Sequence, residues 1–120
     1  MAGGQILHIA ERDVGTGRCE LQLEGELDLW SVERLQVVLR RVASENDAIL
    51  VGLESCEFVD STGIALLLQV RRQLDDEGGR LVLYGCSDQV LRVFTVAGLT
   101  DAGIVFGTRE DALAELAKVE

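Results

Sequence analysis

Apolar positions along the chain follow two rhythms in turn. In QILHIA (5–10), Ile6, His8 and Ala10 fall on one side of an extended chain and Leu7 and Ile9 on the other, which predicts an opening strand. RDVGTGR reads as a glycine-rich turn. In CELQLEGELD (19–28), Leu21, Leu23, Gly25 and Leu27 alternate with Glu20, Gln22, Glu24 and Glu26, so this second strand is expected to keep one face in water and to pair with the first as an antiparallel hairpin. The period then lengthens. Leu35, Val38, Leu39 and Val42 recur at helical spacing behind Ser31 as N-cap, with Trp30 placed to staple onto Leu35. AILVGL (48–53) is apolar throughout, the mark of a strand covered on both faces.

A second helix shows Ile64, Leu67, Leu68 and Leu74 inward and Arg71, Arg72, Asp75 and Asp76 as polar positions, stopping at Gly78-Gly79. RLVLYG (80–85) is another buried strand, and Ser87 caps the helix DQVLRVFTVA, which Gly98 ends. GIVF (103–106) is a last short strand. Thr108 caps REDALAELAKVE, whose first-turn acids suit the positive end of the helix.

The order β-β-α-β-α-β-α-β-α predicts an α/β fold. Its sheet is mixed, with four or five strands, the opening hairpin antiparallel to the rest, residues 48–53 and 80–84 as parallel neighbours or near neighbours, and helices mainly on one face. With no proline, linker, repeat or low-complexity stretch, residues 1–120 read as one domain.

Composition narrows the function classes. A hydrophobic fraction of 48% fits a globular core. No apolar run reaches the roughly 18–20 residues that span a bilayer, and MAGGQILHIAERD has neither a basic start nor an apolar signal core, so a cytoplasmic protein with no membrane role is expected. Cys19, Cys56 and Cys86 are then free thiols; Cys56 and Cys86 each follow a buried strand and are expected near one another. The net charge of −10 argues against a nucleic-acid partner and permits a basic protein partner.

Most catalytic chemistries lack their residues. His8 is the sole histidine and sits in a strand, and no Cys-x-x-Cys pair exists, so no metal or other cofactor is expected. There is no Gly-x-Ser-x-Gly elbow, no Gly-x-x-x-x-Gly-Lys loop and no Gly-x-Gly-x-x-Gly turn before a helix. GTGR (15–18) precedes a strand and reads as a hairpin turn. Glu24 and Glu26 lie on a wet strand face. The only lysine is Lys118.

FVDSTGIALLLQV (58–70) is different. Asp60 or Ser61 suffices to cap the second helix, worth about 1 kcal/mol, and the second hydroxyl is surplus to that task. It lies where unpaired N–H groups point outward and at the carboxyl end of a parallel strand, the usual place for a site in an open α/β sheet. Gly25-Glu26-Leu27-Asp28 ends the second strand, so Asp28 is expected at the same edge as Asp60.

GELDLWSVERL and CEFVDSTGIALLL, separated by a helix and a strand, strongly resemble the STAS fold and more narrowly the bacterial anti-sigma factor antagonists. The resemblance runs from about Ile6 to Leu116 and includes GGRLVLYGCSDQVLRVFTVAGL. It implies a binding module and not an enzyme: unphosphorylated, it would bind an anti-sigma factor that is also a serine/threonine kinase and so release a sigma factor in a stress response. It would be switched off by phosphorylation and reset by a serine phosphatase. Carried over, the acceptor is Thr62, with Ser61 second choice, and the partner-binding residues are Gly25, Leu27, Asp28, Asp60, Ser61, Thr62, Gly63 and Ile64. Thr62 departs from the serine found in many members. Its hydroxyl is expected to be exposed, with Ile64 turned inward. A monomer or weak dimer is expected. The alternative is a nucleotide-binding or sensory STAS domain of a stress-signalling complex or transporter.

Overall fold

The computed structural model describes residues 6–98 and 103–118. Gln5, which opens the predicted first strand, Leu99, and Val119 and Glu120 at the end of the predicted last helix lie outside them. Strands β1 (His8–Gly15), β2 (Arg18–Leu27), β3 (Ala48–Val59), β4 (Arg80–Tyr84) and β5 (Val105–Phe106) form one sheet in that spatial order. The β1–β2 hairpin is antiparallel and the other three pairings are parallel, with Ile49 opposite Leu81. Helices α1 (Val32–Glu45), α2 (Ser61–Asp76), α3 (Asp88–Val96) and α4 (Arg109–Leu116) alternate with the strands as predicted.

The sheet separates two cores because successive side chains on a strand point to opposite faces. Ile49, Val51, Leu53, Leu81 and Leu83 pack with Leu35 and Leu39 of α1, Leu67 and Leu74 of α2, and Val90 and Phe94 of α3. Their neighbours Ala48, Leu50, Val82 and Tyr84 face the other way, under Ala112 and Leu116 of α4. Three helices thus cover one face and a single short helix covers part of the other. None among the described residues is long and apolar enough to cross a membrane.

Several local expectations change. Strand β1 continues through Arg12 to Gly15, so the predicted turn shrinks to Thr16-Gly17. The last strand contains only Val105 and Phe106. Cys56 lies within β3 and does not follow it, because β3 runs on to Val59. Arg71 is buried, its Nε ion-paired with Asp75 one turn later. Trp30 is 79% exposed and staples nothing.

The supposed wet face of β2 is dry at one end. Glu20 is 1% exposed, since α4 lies over it. Arg109 donates to its two carboxylate oxygens from Nη2 and Nε, both at 2.9 Å, and the Tyr84 hydroxyl donates at 2.6 Å. The Arg109 hydrogen bonds outweigh burial and lower the Glu20 pKa. Burial, reinforced by that carboxylate, pushes the Tyr84 hydroxyl up to about 12. Periodicity foresaw the alternation but not that a helix 89 residues later in sequence returns with a cation for the buried acid.

Candidate functional site

The site forms where β2 and β3 end side by side. Leu27 is opposite Val59 in the parallel register, and the Asp60 N–H donates to the Leu27 carbonyl at 3.0 Å, so both outgoing turns leave from one edge. Each turn carries an acid that organises its backbone.

Asp60 is the N-cap of α2, with extended backbone (φ −98°, ψ −177°). Its Oδ1 accepts from the N–H groups of Thr62 at 3.0 Å and Gly63 at 3.1 Å, and from the Thr62 hydroxyl at 2.5 Å. Its Oδ2 reaches across to the other turn and accepts from the Leu29 N–H at 3.1 Å. Burial opposes the charge on Asp60, but the Thr62 hydroxyl and the three backbone donors prevail and hold its pKa below the ordinary value.

Asp28 does the same work for the first turn. Its Oδ1 accepts from the N–H groups of Trp30 at 3.0 Å and Ser31 at 3.1 Å. Ser31 occupies the N-cap position of α1 yet makes no side-chain cap. Its buried hydroxyl instead donates to the Glu26 carbonyl at 2.9 Å and accepts from the Asp28 N–H at 3.0 Å, tying the turn back to β2. The two acids thus hold adjacent amides of one turn, Asp60 the Leu29 N–H and Asp28 the Trp30 N–H.

Four of the predicted site residues form the support beneath this edge. Leu27 and Ile64 are buried. A Cβ on Gly63 would stand 2.7 Å from Leu27 Cγ and 3.2 Å from Val59 Cγ1, so only glycine lets the first turn of α2 settle onto β2. Gly25 has φ +113°, a left-handed conformation that favours glycine, and a Cβ there would stand 2.5 Å from the Ile6 carbonyl oxygen. These residues shape the edge. Its surface is made by half-buried Asp28, Asp60 and Thr62 and by exposed Ser61.

Two expectations about the loop need revision. The Thr62 hydroxyl is half-buried and bonded to Asp60, whereas Ser61 is the exposed one. Nor does the start of α2 present an open cradle for an anion, because Asp60 already accepts from the Thr62 and Gly63 amides. Ile64 does turn inward.

Sequence reasoning passed over Leu29 and Trp30, which are 62% and 79% exposed beside the acids. The available signal was an apolar pair between an acid and a cap residue, and it was spent on a staple that does not form. Cys19 and Cys56 are buried and Cys86 is half-buried. Burial, with the neighbouring Cys56, pushes the Cys86 thiol up to about 11, away from the thiolate that reactive cysteines need. Among the described residues, no group of three histidine, cysteine, aspartate or glutamate side chains is arranged to hold a metal.

Comparison with known proteins places this arrangement in context. The family described as "Mlab, STAS domain" matches residues 12–107. A Staphylococcus aureus protein named anti-sigma-B factor antagonist is 34% identical over 83 residues, covering 68% of this chain and 77% of that protein. The structure of the anti-sigma factor antagonist SpoIIAA in its unphosphorylated form matches with a TM-score of 0.80 and 26% identity, over 94% of this chain and 99% of that one. The phosphorylated form of the Bacillus cell fate determinant SpoIIAA matches with a TM-score of 0.72 and 26% identity, over 90% and 98% of the two chains.

Proposed function

We propose that this chain, which belongs to the STAS-domain family and within it to the anti-sigma factor antagonists, binds an anti-sigma factor through the Asp28–Asp60 edge and loses that grip when Thr62 is phosphorylated. Residues 1–120 act as one cytoplasmic domain. The edge consists of Asp28, Asp60, Ser61 and Thr62 on the support of Gly25, Leu27, Gly63 and Ile64. The partner is an ATP-dependent serine/threonine kinase as well as an anti-sigma factor, and a serine phosphatase restores the active form. Relatives named as antagonists favour this reading over a nucleotide-binding or transporter-linked sensor.

The observation that carries the switch is the 2.5 Å hydrogen bond from the Thr62 hydroxyl to Asp60 Oδ1. Phosphoryl transfer would form a bond from Thr62 Oγ1 to the γ-phosphorus of ATP, release ADP and give up the hydroxyl proton. The hydrogen bond would be lost in the same event. A group of charge about −1.5 to −2 would then stand beside a carboxylate held ionised by its own donors. With Asp60 already filling the helix terminus, little backbone capacity is left to absorb that charge. The new repulsion acts at the docking edge of a protein whose net charge is −10.

Ser61 is the second choice for acceptor. It is the more accessible of the two, exposed where Thr62 is half-buried. The test is incubation of the chain with its anti-sigma factor and ATP, phosphosite mapping by mass spectrometry, and calorimetric binding of variants. Thr62→Ala should bind persistently with or without ATP. Thr62→Glu should bind at least tenfold more weakly, with a smaller effect than true phosphate because it carries less charge. Phosphate on neither residue, together with equal binding by Thr62→Glu and the unmodified chain, would refute the switch.

A further inference from the structure

Leu29 and Trp30 are adjacent in sequence, exposed, and joined by hydrogen bonds to the switch loop. Among the described residues, the other exposed large hydrophobic side chains, Ile6, Val37, Phe58, Leu91 and Val96, are separated along the chain. We propose that Leu29 and Trp30 form the apolar anchor of the docking edge and enter a hydrophobic pocket on the anti-sigma factor that is rimmed by lysine or arginine side chains. This rests on the function proposed above and names the residues that supply its affinity.

Three features of the turn support the role. First, its backbone is already fixed. The N–H groups of Leu29, Trp30 and Ser31 are bound in succession by Asp60, Asp28 and Asp28. A side chain shown on a fixed turn has less freedom to lose on binding, and preorganisation of this kind lowers the entropic penalty of association. Second, tryptophan is enriched among residues that dominate binding energy because a rigid ring buries a large area with few rotors. In water the same ring gains nothing for the fold, since Trp30 packs against no core cluster. Third, the anchor is flanked by Asp28 and Asp60, with Glu33 in the first turn of α1. An apolar centre in an acidic frame fits a pocket with a basic rim, which would also steer the encounter.

The geometry also joins the anchor to the switch. Asp60 receives the Thr62 hydroxyl on Oδ1 and the Leu29 amide on Oδ2. A phosphate on Thr62 that displaces this carboxylate would release the Leu29 amide, so the anchor would lose its fixed presentation as repulsion arises beside it.

Trp30 is the only tryptophan in the chain, so tryptophan emission from the antagonist reports on this residue alone. The anti-sigma factor should be tryptophan-free or have its tryptophans replaced by phenylalanine. Its titration into the unmodified chain should shift Trp30 emission to the blue and reduce acrylamide quenching several-fold. By calorimetry, Trp30→Ala should weaken binding about 30-fold or more, with Leu29→Ala smaller and Trp30→Phe retaining most of the affinity. An exposed side chain can be removed without unfolding, and the circular dichroism and melting temperature of Trp30→Ala should match the parent.

If the anti-sigma factor binds and phosphorylates Thr62 while Trp30→Ala binds within twofold of the parent, the anchor is refuted and the switch stands. If the unmodified chain binds no anti-sigma factor, the function itself fails. A blue shift that develops on concentrating the chain alone, with sedimentation showing a dimer, would assign the patch to a second copy and overturn the proposal.

Discussion

Glu20 and Asp60 are both carboxylates that accept several hydrogen bonds, and both have lowered pKa values, yet they serve different ends. The donors to Glu20 include Tyr84 and Arg109, side chains 64 and 89 residues away in sequence, and α4 closes over the group. Those bonds join β2 to β4 and to α4, so the acid fixes tertiary structure. Asp60 collects its donors mainly from the next three residues, and its one distant donor, Leu29, lies in the neighbouring turn of the same edge. Its cluster can be altered by a chemical event on Thr62 without disturbing the sheet. Connectivity and access, more than the pKa shift common to both, distinguish an acid that fixes the fold from one placed to take part in the proposed switch.

The largest effect is expected at the support beneath the Asp28–Asp60 edge. Gly63→Ala places a Cβ 2.7 Å from Cγ of the fully buried Leu27 and 3.2 Å from Val59 Cγ1. Overpacking of this kind costs about 1–3 kcal/mol, and chemical denaturation should show it. Because α2 must shift away from β2, partner affinity should fall with stability. A variant as stable as the parent would show that the two turns are not held in register by this contact.

Arg109→Ala tests the buried acid. Glu20 would keep Tyr84 and Gln22 but lose its cation, and a buried acceptor left short of partners costs about 1–3 kcal/mol, more when it is charged. Arg109 is 42% exposed, so water can replace part of what is lost and a value toward about 1–2 kcal/mol is expected. Affinity for the anti-sigma factor should not change. A loss of affinity without a loss of stability would mean that the face beneath α4 takes part in docking and would collapse the distinction between the two acids.

The sheet was legible because its signals are local and redundant. AILVGL and RLVLYG can hardly be anything but buried strands, and Ser87, Thr108 and Asp60 accept from the first turns of their helices as their side chains predict. The loop was legible because two hydroxyls beside an acid exceed what a cap needs. The contents of the other face were not legible. Glu20 alternates as a solvated residue should, and the Tyr84 and Arg109 side chains that meet it where it is buried come from distant segments. The destination of the Thr62 hydroxyl was also hidden, since Asp-x-Thr allows a free hydroxyl as readily as one folded back on the acid. Trp30 was misplaced because a staple and an exposed anchor look alike before the entry angle of α1 is known.

The smallest expected effect is also the most specific to Asp60. A carboxylate whose folded-state pKa lies below its unfolded value stabilises the fold fully above the unfolded pKa, near about 4, and loses that contribution as pH falls through the folded value. Asp60→Asn keeps one oxygen for the cap but cannot ionise, so it isolates the charge. The stability difference between the parent and Asp60→Asn should be constant from about pH 8 to 5 and shrink below about pH 4, with a total of no more than about 1 kcal/mol. Glu20 also has a lowered pKa and should give acid sensitivity that persists in Asp60→Asn and diminishes in Glu20→Gln. Urea unfolding from pH 7 to pH 3 on the parent and both variants separates the two. A difference that grows on acidification would mean that the Asp60 charge is destabilising in the fold, and the poised carboxylate beside Thr62 would have to be abandoned.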